Sequence, residues 1–151
     1  MPTLRDLYAT HAGKVSDKWS LYLDVYDAAF SRFRDRPIAF AEIGVQNGGS
    51  LELWARYFAQ ASILLGCDID PKCGALAFAD PRIAVVVGDV NTEATYRAIL
   101  SRSPGFDVFI DDGGKRGRQH VDHDQAPRYR NTGARRCFLI AADGIRVQAK
   151  T

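Results

Sequence analysis

The sequence lacks both the cysteine content of a disulfide-stabilised protein and the long apolar runs of a membrane protein. Its three cysteines, Cys67, Cys73 and Cys137, are odd in number and scattered, which predicts free thiols in a reducing compartment and neither a disulfide framework nor a zinc site. No apolar run approaches the roughly 20 residues that span a bilayer. The first residues, M-P-T-L-R-D-L-Y, lack the basic and then apolar order of a secretory signal. These absences predict a cytoplasmic protein with no membrane partner.

Charge is unevenly distributed along the chain, although the net charge is only +2. Residues 1–112 carry 11 Lys+Arg and 15 Asp+Glu, whereas residues 113–151 carry 9 Lys+Arg and 3 Asp. A basic tail is one signature of nucleic-acid binding. This tail contains only two aromatic residues on which bases could stack, Tyr129 and Phe138. We therefore expect no nucleic-acid partner.

One stretch, residues 38–58, carries the clearest structural pattern. An apolar segment (38–43) predicts a strand, a glycine-containing turn (44–49) follows, and apolar residues then recur at helical spacing. Ser50 is placed to cap the N-terminus of that helix, since its hydroxyl can accept from free backbone N–H groups. Glycines in the turn lack Cβ atoms and let a ligand approach the backbone.

The spacing of this turn excludes two common nucleotide-binding motifs. The dinucleotide fingerprint G-x-G-x-x-G fails because Gly44 is followed by Val45 and Gln46. The phosphate-binding loop fails because no lysine ends the turn. What remains is Glu42, two residues before the first glycine, whose carboxylate would repel phosphate and suits a ligand that carries an amine. An ordinary strand-to-helix turn with no ligand stays open as the alternative.

Three further apolar segments each end on acidic residues or glycine. They span residues 62–70, 83–89 and 106–114, and they alternate with helical patterns at residues 3–35, 71–78 and 92–100. This alternation predicts an α/β fold with a mostly parallel sheet. Ligands of such sheets bind outside the carboxyl ends of the strands. We therefore expect one edge to gather the carboxylates Glu42, Asp68, Asp89, Asp111 and Asp112.

These carboxylates suit different parts of one ligand. A carboxylate after the second strand can accept hydrogen bonds from both hydroxyls of a ribose; Asp68 is the first candidate and Asp70 the alternate. Asp89 can accept from the exocyclic amine of adenine. Asp111 and Asp112 could ligate a hard divalent cation. For each of these acids taken alone, the alternative interpretation is a solvated carboxylate in a loop, with no ligand.

Four motifs in order resemble those of a known family. They are A-E-I-G-V-Q-N-G-G-S, G-C-D-I-D-P, V-V-V-G-D-V and F-D-V-F-I-D-D-G-G, and they cover about residues 38–114. Together they resemble the class I S-adenosylmethionine-dependent methyltransferases. The upstream segment G-K-V-S-D-K-W-S-L-Y-L-D-V-Y is similar to the branch of macrolide-sugar O-methyltransferases and cephalosporin-hydroxylase-like proteins. The resemblance implies a Rossmann-like three-layer sandwich.

The resemblance also implies roles for individual residues. Glu42 and the turn at residues 44–49 would hold the methionine end of S-adenosylmethionine, Asp68 the ribose, and Asp89 the adenine. Asp111 would bind Mg²⁺, which orients and acidifies a substrate hydroxyl, so Asp111 is the candidate catalytic residue, with Asp112 as a second metal ligand. The expected reaction is O-methylation of a sugar or small metabolite. The full set of expected cofactor contacts is Glu42, Gly44, Gln46, Gly48, Ser50, Asp68, Asp70, Asp89, Val90 and Asp111.

The sequence departs from this family after Gly114. We divide the single domain into an N-terminal helical segment (1–36), a cofactor-binding core (37–114) and an atypical basic tail (115–151). Lys115 stands where the branch has histidine, and residues 115–136 show no apolar helical face. Cys137 to Ala142 predicts the fifth strand. The chain ends at Thr151, before the last strands of the usual fold, and Ala141-Ala142-Asp143 stands where an acidic metal-binding pair is expected.

These departures leave alternatives open. The tail could be read out of frame or belong to a decayed copy, and the protein would then be a methyltransferase-like remnant that binds cofactor or a partner without turnover. A rival interpretation makes a new metal site from His120, Asp122, His123 and Asp124. The shortened sheet also leaves an exposed edge, which predicts either a homodimer or covering of that edge by the tail.

Overall fold

Five short apolar segments form the strands of one sheet in the computed structural model, which describes residues 1–16, 20–113 and 138–141. The strands are β1 (Ala39–Ile43), β2 (Ile63–Asp68), β3 (Ile83–Val87), β4 (Val108–Asp111) and β5 (Phe138–Ala141). The helices in the described ranges are α1 (Leu4–Ala9), α2 (Ser20–Phe30), α3 (Gly49–Tyr57) and α4 (Glu93–Leu100).

All pairings in the sheet are parallel, in the order β3-β2-β1-β4-β5. Strand β1 lies at the centre, and every one of its residues is buried, because parallel strands are covered on both faces. The register places Ile43 opposite both Cys67 and Asp111, and Asp68 opposite Val87. The strands therefore end at nearly the same level, and the predicted parallel α/β sheet is confirmed.

Two apolar cores cover the two faces of the sheet. On one face, α1, α2 and α3 pack around Trp54, which is fully buried and lies 5.4 Å from the rings of Phe40 and Tyr26 between centroids. On the other face, Ile99 of α4 packs with Phe106 and residues of β1 and β2. Helices on both faces of a sheet make the three-layer sandwich that the resemblance implied.

Two local predictions prove wrong. Residues 71–78 do not form an α-helix: a single 3₁₀ segment, Pro71–Ala75, takes their place, since Gly74 disfavours a longer helix. Ser50 is not the N-cap of α3. Gly48 holds that position with φ at 84°, and the Ser50 hydroxyl instead donates to the buried carboxylate of Glu42.

Several predictions fall on residues outside the described ranges. They concern the basic tail at residues 115–137 and 142–151, with the rival site at His120, Asp122, His123 and Asp124. None of the helices in the described ranges combines the length and the apolar character needed to traverse a bilayer.

The C-terminal end of α3 is capped by an arginine that the sequence patterns did not single out. The guanidinium of Arg82 donates to the carbonyl oxygens of Ala55 (3.0 Å), Phe58 (3.1 Å) and Ala59 (2.8 Å). It also pairs with Asp80 at 2.6 Å. A cation at this end satisfies carbonyls that lack helical partners and complements the helix dipole.

We expect Arg82→Met to lower the free energy of unfolding by about 2 kcal/mol, since it removes charge-assisted hydrogen bonds to several carbonyls. The matched control is Arg97→Met, which breaks an exposed pair between Arg97 and Glu93 at 2.9 Å and should cost at most about 0.5 kcal/mol. Urea unfolding measures both values. Equal losses for the two variants would contradict a capping role for Arg82.

Candidate functional site

The carboxyl ends of the central strands bring the predicted acids to one edge. Backbone hydrogen bonds continue the ladder past the strands: Gly44 donates to Cys67 (2.9 Å), Gly88 to Asp68 (2.8 Å) and Asp112 to Ile43 (2.9 Å). The side chains of Asp68, Asp89 and Asp111 therefore start from neighbouring points on this edge. The predicted convergence is confirmed for these three acids.

Glu42 lies deeper than the other acids. It sits one residue inside β1, is fully buried, and faces α3. Its carboxylate accepts hydrogen bonds from the Ser50 hydroxyl and from Trp54 Nε1, the latter at 3.1 Å. Glu42 thus ties the central strand to the helix below the turn, and its expected contact with a ligand stays a prediction.

The turn at residues 44–49 has an unusual backbone. Positive φ angles occur at Gly44 (91°), Gln46 (52°) and Gly48 (84°). At Gly44 a Cβ atom would lie only 2.6 Å from the carbonyl oxygen of Asp112, so both the angle and the space require glycine. The missing Cβ of Gly44 therefore lets the turn pack against the chain beside β4. It also lets a ligand approach the backbone.

Asp68 fixes this turn from the neighbouring strand. Its Oδ2 accepts from the backbone N–H groups of Val45 (2.7 Å) and Gln46 (3.0 Å), and its Oδ1 accepts from Asp70 N at 3.0 Å. The side chain is only 6% exposed. A carboxylate held by several N–H donors is strongly stabilised, so Asp68 organises the loops at the ends of β1 and β2.

Asp70 is the more accessible of the two ribose candidates. It is exposed, and its Oδ1 accepts from Lys72 N at 2.9 Å, which caps the following 3₁₀ segment. No hydrogen bond to its Oδ2 occurs within the described part of the chain. The structure therefore makes Asp70 better placed than Asp68 to meet a ligand, although both contacts stay predictions.

A shallow cleft, open to solvent, lies between the ends of β2 and β3. Asp89 lies in its wall, with Oδ1 accepting from Asn91 N at 3.0 Å. Ile69, which is 41% exposed, offers an apolar surface that the sequence analysis did not single out. Its position between Asp68 and Asp70 could have indicated that it lies at the site. An apolar wall with a carboxylate beside it suits a flat nitrogenous ring. The cleft is lined by Ile43, Cys67, Asp68, Ile69, Gly88, Asp89 and Val90.

Asp111 and Asp112 end β4 on the other side of β1. Asp111 is 4% exposed, and its Oδ1 accepts from Gly113 N at 3.3 Å. Within residues 1–16, 20–113 and 138–141, no group of three His, Cys, Asp or Glu side chains is arranged to hold a metal ion. The metal and catalytic roles of these two carboxylates stay predictions.

The two described cysteines are free and buried, as predicted. Burial, with nearby carboxylates, raises the pKa of Cys73 to about 11 and that of Cys67 to about 12, so both thiols are protonated at neutral pH. Cys73 donates its S–H to the carbonyl oxygen of Gln46 at 3.2 Å. This thiol therefore supports the turn and is not a nucleophile.

Sequence comparisons show which known proteins this chain is similar to. No family model matches the chain. It is 35% identical, over 75% of its length, to 8-demethyl-8-alpha-L-rhamnosyl tetracenomycin-C 2'-O-methyltransferase of Streptomyces olivaceus, of which it covers 30%. It is 32% identical, over 83% of its length, to the 3'-O-methyltransferase acting on the 2-methoxy-rhamnosyl compound in the same organism, of which it covers 32%.

A solved structure shows the same fold. The MycE methyltransferase from the mycinamycin biosynthetic pathway, in complex with Mg, SAH and mycinamycin VI, matches with a TM-score of 0.69 and 26% identity. The match covers 91% of this chain and 36% of that one. The described part of the chain therefore has the Rossmann-like fold of the class I S-adenosylmethionine-dependent methyltransferases, as its motifs indicated. In sequence it is similar to sugar O-methyltransferases, and it spans about a third of their length.

Asp68→Asn tests whether Asp68 holds the turn. An amide offers one acceptor oxygen where the carboxylate offers two, and its NH2 group must face either the N–H groups of Val45 and Gln46 or that of Asp70. At least one N–H therefore loses its partner, and we expect a loss of about 2 kcal/mol in the free energy of unfolding. The control Asp70→Asn changes an exposed side chain and should stay within about 0.5 kcal/mol. Urea unfolding followed by circular dichroism measures the difference, and equal stability of the two variants would refute the assignment.

Proposed function

We propose that this chain binds S-adenosylmethionine and forms the cofactor-binding part of an enzyme that methylates a hydroxyl of a sugar or small metabolite. The observation that carries the proposal is the turn at residues 44–49, held by Asp68 beside a shallow cleft at the carboxyl edge of the sheet. The chain's homologues are named as O-methyltransferases of sugar-bearing compounds, and the related MycE structure is a complex with SAH and Mg.

The cleft and the turn fit the two ends of this cofactor. The accessible carboxylate of Asp70 is suited to accept from the ribose hydroxyls, and Asp89 with Val90 is suited to the adenine, beside the apolar surface of Ile69. The methionine end would lie along the turn, whose expected contacts are Gly44, Gln46, Gly48 and Ser50, above the buried Glu42. Asp68 acts here by preorganising the turn.

When bound, S-adenosylmethionine supplies an electrophilic methyl group. The chain's task is to orient the acceptor hydroxyl toward that group and to help remove its proton. Asp111 ends β4 and Asp112 follows it, next to the turn, since Ile43 pairs with Asp111 in the sheet. These two carboxylates would hold Mg²⁺, which would orient and acidify the hydroxyl.

Calorimetric titration with S-adenosylhomocysteine (SAH), with and without Mg²⁺, tests the proposal. We expect binding in the micromolar range, and in Asp70→Asn a loss of at least tenfold, about 1.4 kcal/mol, without a change in melting temperature. The control Asp35→Asn alters an exposed loop acid before β1, at the opposite edge of the sheet, and should bind like the parent protein.

A methyl-transfer assay with a panel of free sugars and glycosides then separates an enzyme from a binding protein. Transfer to a hydroxyl supports the proposed reaction. Binding without transfer to any acceptor would favour the remnant that binds cofactor without turnover. Absence of SAH binding by the folded protein would refute the cofactor assignment.

A further inference from the structure

An N-terminal strap, defined as residues 11–16, crosses the amino-terminal end of α3. The approach is so close that a Cβ atom on Gly49 would overlap the carbonyl oxygens of Lys14 and Val15. Gly49 is buried although it begins a helix next to the candidate site. The strap therefore packs directly against the last residue of the turn.

Lys14 makes the contacts that hold the strap in place. Its backbone N–H donates to Glu52 Oε2 at 2.8 Å, and its Nζ donates to Glu52 Oε1 at 2.6 Å. The same Nζ donates to the carbonyl oxygen of Ala77 at 2.7 Å and lies 4.5 Å from the centroid of the Phe78 ring. One side chain thus joins the strap, the first turn of α3 and the segment that follows the 3₁₀ segment.

These contacts also reach the turn at residues 44–49, which we call the ligand turn. The ring of Phe78 packs on Gly48, where a Cβ atom would come within 2.6 Å of its Cζ. The strap itself packs on Gly49. Because Lys14 fixes both packing partners, it constrains the two glycines that end the turn, just as Asp68 constrains Val45 and Gln46 at its start.

The charge pair is partly sheltered from solvent. The side chains of Lys14 and Glu52 are 29% and 22% exposed, and His11 Nε2 lies 2.8 Å from Lys14 O and 3.7 Å from Glu52 Oε2. Burial alone would raise the pKa of Glu52, but the hydrogen bonds and charge of Lys14, with a contribution from His11, hold this pKa below its usual range. Glu52 is therefore a carboxylate at neutral pH, and the pair is better defined than most exposed ion pairs.

We propose that Lys14 is a positioning residue for the ligand turn: through Glu52 and Phe78 it fixes the backbone of Gly48 and Gly49 and thereby sets the affinity for the nucleoside ligand. The ligand part of this inference depends on the proposed function. The fixing of the turn does not, and can be measured without ligand.

The test compares Lys14→Met with the matched control Arg5→Met. Arg5 belongs to the same N-terminal segment and pairs with Asp24 at 2.7 Å, but it lies on α1, outside the strap. In the ligand-free protein, we expect hydrogen–deuterium exchange in a peptide covering residues 44–52 to be at least fivefold faster in Lys14→Met and unchanged in Arg5→Met. For SAH, we expect a roughly tenfold weaker Kd in Lys14→Met, a change below twofold in Arg5→Met, and recovery of most of the affinity in Lys14→Arg.

Each outcome bears on the proposal. Unchanged exchange in Lys14→Met, or equal acceleration in both variants, overturns the positioning role whether or not SAH binds. Faster exchange confined to Lys14→Met, together with weaker binding, supports the whole inference. If the parent protein binds no SAH, the proposed function fails and the claim on affinity fails with it, while exchange still decides whether Lys14 fixes the turn. Should Lys14→Met not fold, Glu52→Gln, which keeps one acceptor oxygen, replaces it with the same expected direction.

Discussion

The hydrogen bonds from Val45 and Gln46 to the carboxylate of Asp68 are the constraint on which the candidate site depends. The turn that follows β1 adopts positive φ angles at three residues, and such a backbone is held only where its surroundings fix it. One oxygen of Asp68, Oδ2, accepts both of these N–H groups at the start of the turn, and a buried charge satisfied in this way is expensive to lose. The position of Asp68 follows in turn from the parallel register of β1 and β2.

The rest of the described structure supports the same turn from other directions. Glu42 connects the strand before the turn to the helix after it, through Ser50 and Trp54. Cys73 binds the carbonyl oxygen of Gln46 from the 3₁₀ segment. The site thus combines a rigid backbone with accessible carboxylates beside it, which is the arrangement that preorganised binding requires. Asp68 is buried and holds the turn, whereas Asp70, two residues later, is exposed and is the proposed ligand contact.

The sheet could be predicted from the sequence, whereas several side-chain roles could not. Apolar runs such as Val85-Val86-Val87 predict a strand, and the order of strands and helices then limits the topology. The expectation that this run is buried on both faces is wrong, because β3 is the outermost strand in the order of the sheet and Val87 is 40% exposed. Ser50 was expected to cap α3 because serine often does so, but the buried carboxylate of Glu42, eight residues earlier, binds its hydroxyl. Lys14 and Glu52 are 38 residues apart, and no local pattern connects them. Composition shows which groups are present, while only the fold shows which groups meet.

The central claim is that a nucleoside ligand binds at the carboxyl edge of the sheet, along the turn at residues 44–49 and the cleft between β2 and β3. The most direct test is an NMR titration of the isotope-labelled protein with SAH, followed through its backbone amide resonances. We expect the largest shifts at residues 44–49, 68–70 and 88–91, with little change at residues 34–38 on the opposite edge. Shifts confined to that opposite edge, or no shifts at saturating SAH, would show that the ligand does not bind at the carboxyl edge.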